Sequence, residues 1–272
     1  MNQVISMKYT AKDVCKILDV NRETLRYYEK IGLINPEISE FNHYRYYDDW
    51  QINFIGECKK YQSLEFTIKE VDEVFKKDNL EEFIAKVELK QSIFENKVKF
   101  YTNLSLKNER YIETLKSIPH KLNHCEIREF EECFYLPGSK NLELIFSENT
   151  LNYIPQIMDN YAFVDNAVLI PFEDHRDNTG TFMWGFSVSR EWMNLLELKT
   201  EKMLHLSNQK AIYSIVDVGD RWGFNYGHFD FMKNYARNNH FQINGPIFGN
   251  LLTRINESNK YCRFLEVWMM IS

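Results

Sequence analysis

The sequence predicts an α+β protein in three parts: an N-terminal winged helix-turn-helix, a long helix of coiled-coil type, and a C-terminal duplicated β-α-β-β unit with an antiparallel sheet. Three observations carry that expectation. Two short segments with helical apolar spacing flank a tight link within residues 8–30. A two-track heptad repeat, free of Pro and Gly, occupies residues 79–117. After Cys125 the order strand–helix–strand–strand occurs twice. The expected domains are 1–78, 79–118 and 119–272.

Thr10 is placed to cap a first helix whose Ala11, Val14, Ile17 and Leu18 recur at i, i+3, i+4 spacing. Asp19-Val20-Asn21 breaks that pattern, and Asn21 can cap a second helix through Arg22, Leu25 and Arg26. Gly32 and Pro36 then end the helix. Asn42-His43 reads as a turn tip and Tyr44-Arg45-Tyr46-Tyr47 as a strand, which together make a small β-wing. Asp48 caps a helix over roughly Trp50 to Leu64, and Thr67 caps another through Ile68, Val71, Val74 and Phe75.

In the heptad region Leu80, Val87, Phe94, Tyr101, Asn108 and Leu115 fall on one track. Ile84, Gln91, Val98, Ser105 and Ile112 fall on the other. A helix of this extent is roughly 55–60 Å long, and its apolar stripe requires a cover. A second copy of the chain supplies one most simply, giving a homodimer, and packing on the chain's own C-terminal domain is the alternative. Ser117-Ile118-Pro119-His120 is expected to end the helix. Beyond it, strands are expected at Glu126–Leu136, Ala167–Phe172, Phe182–Val188, Ala211–Val218, Pro246–Leu252 and Arg263–Ile271, with helices over Leu142–Tyr161 and Gly223–Asn239.

Hydrophobic content of 44% and charged content of 26% are those of a globular chain. A net charge of −6 argues against coating nucleic acid by bulk attraction, but leaves room for a specific reader. Without a bilayer-length apolar run or a signal-peptide core, no membrane association is expected, and the expected location is cytoplasmic. The five cysteines are scattered without a CxxC pair, so neither a disulfide framework nor a zinc site is signalled. No cofactor, metal or catalytic motif is expected.

Val20-Asn21-Arg22-Glu23-Thr24-Leu25-Arg26-Tyr27-Tyr28-Glu29-Lys30-Ile31-Gly32-Leu33, followed by the Tyr44-Arg45-Tyr46-Tyr47 wing, resembles the signature of MerR-family transcription regulators over residues 8–75. His43 and Glu65 depart from it by standing where the family usually has Gly. Arg offers a planar fork to a phosphate or guanine edge, and Tyr adds a donor and a flat ring. The resemblance implies that Arg26, Tyr27, Tyr28, Tyr44 and Arg45 hold double-stranded promoter DNA. Arg22 joins them on the second helix, and Lys59 and Lys60 are candidates for added phosphate contacts. Tyr28 packing inside the domain and the two lysines merely solvating a helix are the competing readings. Also implied are a pseudo-palindromic site, RNA polymerase at the promoter, and an effector that favours bent, untwisted DNA.

Glu266 lies in an apolar final strand, sharing a face with Phe264 and Trp268. A carboxylate among rings suits a lipophilic cation. Trp184, Phe186, Tyr213, Trp222, Phe224 and Tyr226 are further wall candidates. His240–Pro246 and Phe264–Trp268 resemble the GyrI-like effector domain of the multidrug-sensing MerR branch, which implies a small-molecule effector and a pocket Glu on this strand. The family's usual proline after the strand is replaced by Met269-Met270. An exposed Glu266 paired with a surface lysine, a protein-interaction module, and a small-molecule hydrolase stay open as alternatives. Metal sensing is disfavoured because residues 79–117 contain no Cys.

Overall fold

The computed structural model describes residues 8–141, 143–145, 147–173, 180–220, 223–257 and 259–272. The chain divides into one compact unit ending at Tyr101 and another from Thr102 to Ser272, and the long helix contributes to both.

In the first unit, Thr10 caps α1 (Ala11–Leu18) through a reciprocal capping box with Asp13. Asp19 closes α1 in the left-handed region at φ +49°, so the chain turns at once into α2. Asn21 caps α2 (Arg22–Lys30) by accepting from the Thr24 amide at 2.7 Å. Strands β1 (Tyr9–Thr10), β2 (Glu37–Ile38) and β3 (Arg45–Tyr47) form the antiparallel wing in the order β1-β3-β2. Asp48 caps α3 (Asp49–Ser63), and a Thr67–Glu70 capping box opens α4 (Ile68–Lys76). Val14, Leu25, Tyr28, Tyr47, Ile55, Cys58 and Val71 form the shared core. Removing each large side chain from water contributes about 1.5–3 kcal/mol.

Helix α5 runs from Leu80 to Lys121 and does not stop at Ser117–His120; Pro119 sits inside its last turn. A proline this near the C-terminus forfeits little of the helical ladder. Leu80, Ile84, Val87, Val98, Tyr101 and Ile112, all on the expected tracks, are exposed on the single chain.

The second unit contains β4 (Glu126–Phe130), β5 (Cys133–Lys140), β6 (Glu143–Leu144), α6 (Glu148–Leu151), α7 (Ile154–Asp159), β7 (Asp165–Ile170), β8 (Met183–Ser189) and α8 (Arg190–Leu195). It continues through β9 (Leu204–Leu206), β10 (Gln209–Asp217), α9 (Asp230–Asn238), β11 (Ile243–Glu257) and β12 (Lys260–Ile271). Among the described residues these strands make one antiparallel sheet ordered β4-β10-β12-β11-β7-β8-β5-β6, with β9 also on β5. The order β10-β12-β11 mirrors β5-β8-β7 across the β11–β7 seam, so the expected duplication is real.

Three expected elements of this unit are broken up or markedly shortened. The run Glu126–Leu136 is two strands broken at Glu131-Glu132. The expected helix over Leu142–Tyr161 is the short pieces β6, α6 and α7, because Pro155 supplies no amide and starts a new helix. Gly223–Asn239 begins helically only at a 3₁₀ turn over Tyr226–Phe229, which Asn225 caps. One sheet face packs Ile212, Leu265 and Val267 against Phe229, Met232 and Ala236 of the α9 layer. The other carries Glu266.

Candidate functional site

In the first unit, α2 and the wing border a groove of about 500 Å³ whose lining includes Lys12, Arg22, Arg26, Tyr44 and Arg45. Arg22 and Arg26 are exposed, one helical turn apart, because the turn before Asn21 points the outer face of α2 away from the core. Tyr27 is 48% exposed and Tyr44 64%. Glu29 ties the wing to α2: Arg45 Nε donates to one carboxylate oxygen at 2.7 Å, and Tyr47 Oη to the other at 2.6 Å. The side chain of Arg45 stays 43% exposed. This is a basic and aromatic surface able to offer several charge-assisted hydrogen bonds to phosphates.

Two sequence candidates are committed elsewhere. Tyr28 is buried, its hydroxyl donating to Gln62 Oε1 at 2.9 Å, and burial pushes its pKa up to about 12. Its side chain falls on the inner face of α2 with Leu25. The Lys59 ammonium donates to the carbonyls of Leu18 and Asp19, satisfying the end of α1. Lys60 is exposed. Glu29 escaped sequence reasoning although it belongs to the motif, since an acidic residue in a basic patch looks unhelpful until its partners are seen.

In the second unit, Glu266 is half-buried between Leu265 and Val267, which face the opposite core. Register places Tyr213 beside Trp268, Ile215 beside Glu266, and Asn250 on the other flank of Glu266. Trp268 meets Tyr213 at 5.4 Å, Phe130 at 5.6 Å and Phe248 at 6.2 Å between ring centroids. Asn250 and Tyr213 hydrogen-bond the Glu266 carboxylate, and Ser187 Oγ donates to Asn250 Oδ1 at 2.8 Å. Withdrawal from water, reinforced by the Asp165 charge, pushes the Glu266 pKa up to about 7 against the opposing pull of Asn250, Arg128 and Tyr213. Arg128 lies over the Tyr213 ring at 4.1 Å and pairs with Glu126.

The expected wall separates by strand alternation. Tyr213 and Trp268 join Glu266 on one face. Trp184 pairs with Val168, and that residue belongs with Val267 to the α9-side core, so Trp184 and Phe224 lie across the sheet from Glu266. Phe186, two residues along β8, shares the Trp184 face, and Tyr226 packs against the α9-side core. These four cannot line one wall with Glu266. Trp222 lies outside the described residues. Asn250, Phe130 and Phe248 are the neighbours that sequence reasoning missed; a lone Asn in the apolar run Ile247–Leu252 was the available signal.

Among the described residues no group of His, Cys, Asp and Glu could hold a metal ion, and no helix is long and apolar enough to cross a membrane. All five cysteines are free thiols.

Residues 9–78 match the family described as MerR HTH family regulatory protein. Over 69 residues, 25% of the chain, the sequence is 38% identical to the mercuric resistance operon regulatory protein of Bacillus cereus. Over 71 residues, 26% of the chain, it is 31% identical to the multidrug-efflux transporter 2 regulator of Bacillus subtilis. These matches span 52% of the first relative and 26% of the second. The cryo-EM structure of the EcmrR–DNA complex in EcmrR-RPo is similar at a TM-score of 0.36 and 14% identity, covering 97% of this chain and 99% of that one. The family match takes in the caps, the α2 motif and the wing described above, and residues 9–78 are a MerR-family helix-turn-helix regulatory domain.

Proposed function

We propose that the chain is a ligand-responsive transcription regulator. Two copies, joined along α5, bind a pseudo-palindromic promoter and reshape it for RNA polymerase when a small lipophilic effector occupies the C-terminal domain. The observation that carries this reading is the exposed set Arg22, Arg26, Tyr27, Tyr44 and Arg45 around the α2–wing groove of the MerR-type domain. The exposed apolar stripe of α5 supports pairing of two copies, which would set two reading heads on the two half-sites. Effector control requires tighter ligand binding in the DNA-distorting state, with a difference large enough to offset a deformation of several kcal/mol.

Gel-shift titration of Arg45→Ala and Arg26→Ala on a duplex selected from a randomised pool tests the DNA surface. Each variant should bind at least about tenfold more weakly at fixed salt, with a salt slope about one unit shallower and an unchanged oligomeric state. Wild-type affinity in both variants would remove this face from the interface.

Glu266 is the proposed effector anchor. A cation binding there favours the ionised carboxylate, so its affinity should rise severalfold between pH 6 and pH 8 as the proton held near 7 is lost. The same titration on Glu266→Gln should be flat.

A further inference from the structure

A cleft of about 220 Å³ lies within the second unit, between the C-terminal half of α5 and strands β7 and β11. Leu104, Val164, Leu251 and Leu252 supply its apolar lining, and Lys107 and Asp165 supply its charge. Lys107 Nζ donates to Asp165 Oδ1 at 3.0 Å, and Tyr111 Oη holds the helix to the Leu252 carbonyl at 2.6 Å.

Two residues of the cleft, Leu252 and Asp165, neighbour the Glu266 face. Leu252 also belongs to the apolar cluster of Tyr213, Phe264 and Trp268. Asp165 pairs in register with Ser187, Ser187 bonds Asn250, and Asn250 pairs in register with Glu266. Asp165 and Glu266 therefore share this face with Lys107, while Arg128 and Lys121 are both engaged by Glu126 and the Tyr213 ring. The Lys107 side chain, an alkyl stem ending in a primary ammonium, already lies along the cleft, and a free ligand of the same chemistry matches its lining.

We propose that this cleft is a second arm of the effector site, which takes the primary ammonium of an alkylamine-type ligand on Asp165 in place of Lys107. The inference rests on the effector reading of the second unit. Displacing Lys107 also breaks a direct tie between α5 and β7, so occupancy of the arm is felt by the helix.

Calorimetric titration of the full chain with 4-phenylbutylammonium and with neutral 4-phenylbutanol tests it. The ammonium should bind at least about tenfold more tightly than the alcohol. Asp165→Asn should lose about tenfold or more of that affinity, and Lys107→Met, which removes the competing cation, should gain about tenfold. Unchanged affinity in Asp165→Asn, or unchanged or weaker binding in Lys107→Met, overturns the proposal, as does an ammonium that binds neither the wild type nor Lys107→Met. Glu266→Gln separates the two readings. Loss there with Asp165→Asn unaffected refutes the cleft and keeps the Glu266 anchor; loss in Asp165→Asn with Glu266→Gln unaffected keeps the cleft and refutes the anchor.

Discussion

Glu65 and His43 adopt φ of +61° and +56°, the left-handed region that favours glycine, at the two positions where the sequence departs from the MerR-like pattern. His tolerates this region better than Glu does. The Glu65 side chain returns only a half-exposed pair with Lys97, whereas its carbonyl, which Lys90 Nζ reaches at 2.9 Å, survives any substitution. Glu65→Gly should therefore stabilise the chain by roughly 0.5–1 kcal/mol, read as a higher denaturant midpoint. A lower midpoint would mean that the Lys97 pair outweighs the backbone strain. Glu266 makes a prediction of opposite character. Its raised pKa means that the folded state binds the proton more tightly than the unfolded chain. Its contribution is most favourable below pH 4.5 and declines as pH rises from there to about 7. Glu266→Gln should flatten that decline, raising the unfolding midpoint at pH 8 relative to wild type while changing it little at pH 5.

Helix α5 is the element on which the rest turns, and its root is a buried lysine. Lys90, 9% exposed, donates to both Glu70 oxygens at 2.9 and 3.1 Å and to the Glu65 carbonyl, with the Phe66 ring 5.0 Å away. Glu70 in turn closes the α4 capping box, and its amide and lysine partners hold its pKa down at about 2. Lys90→Met should cost on the order of 1–3 kcal/mol, since it removes the ammonium shared by the Glu70 carboxylate and the Glu65 carbonyl and leaves Glu70 only its Thr67 partner. Denaturant unfolding at pH 7 reads this cost, and it should shrink only at strongly acid pH, where Glu70 protonates. By contrast, Ile84→Glu and Val87→Glu alter side chains exposed on the single chain. They should dissociate the proposed dimer while leaving the helical circular dichroism of the chain near wild type.

Across the whole molecule, what could be read from sequence is what is local. Thr10, Asn21, Asp48 and Thr67 all act as the expected N-caps, because a cap is decided within four residues. The heptad tracks of α5 were visible for the same reason, and the duplicated C-terminal unit showed in the order of its elements. The composition of the Glu266 wall was not legible, because which rings share a face depends on strand pairing across the β11–β7 seam and on register shifts near Pro137 and Leu251. Trp184 and Tyr213 look equivalent in sequence and end on opposite sides of the sheet. Tyr28 likewise looks like its neighbour Tyr27 until α2 is rotated onto the core.

Sedimentation equilibrium of the full chain, alone and with the selected duplex, at micromolar concentration bears on all of this at once. Two copies zipped along α5 should sediment at twice the 32.7 kDa chain mass, and one such pair should bind each duplex. A single-chain mass throughout that range, with one copy per duplex, would contradict the paired reading heads and the promoter-reshaping role that depends on them.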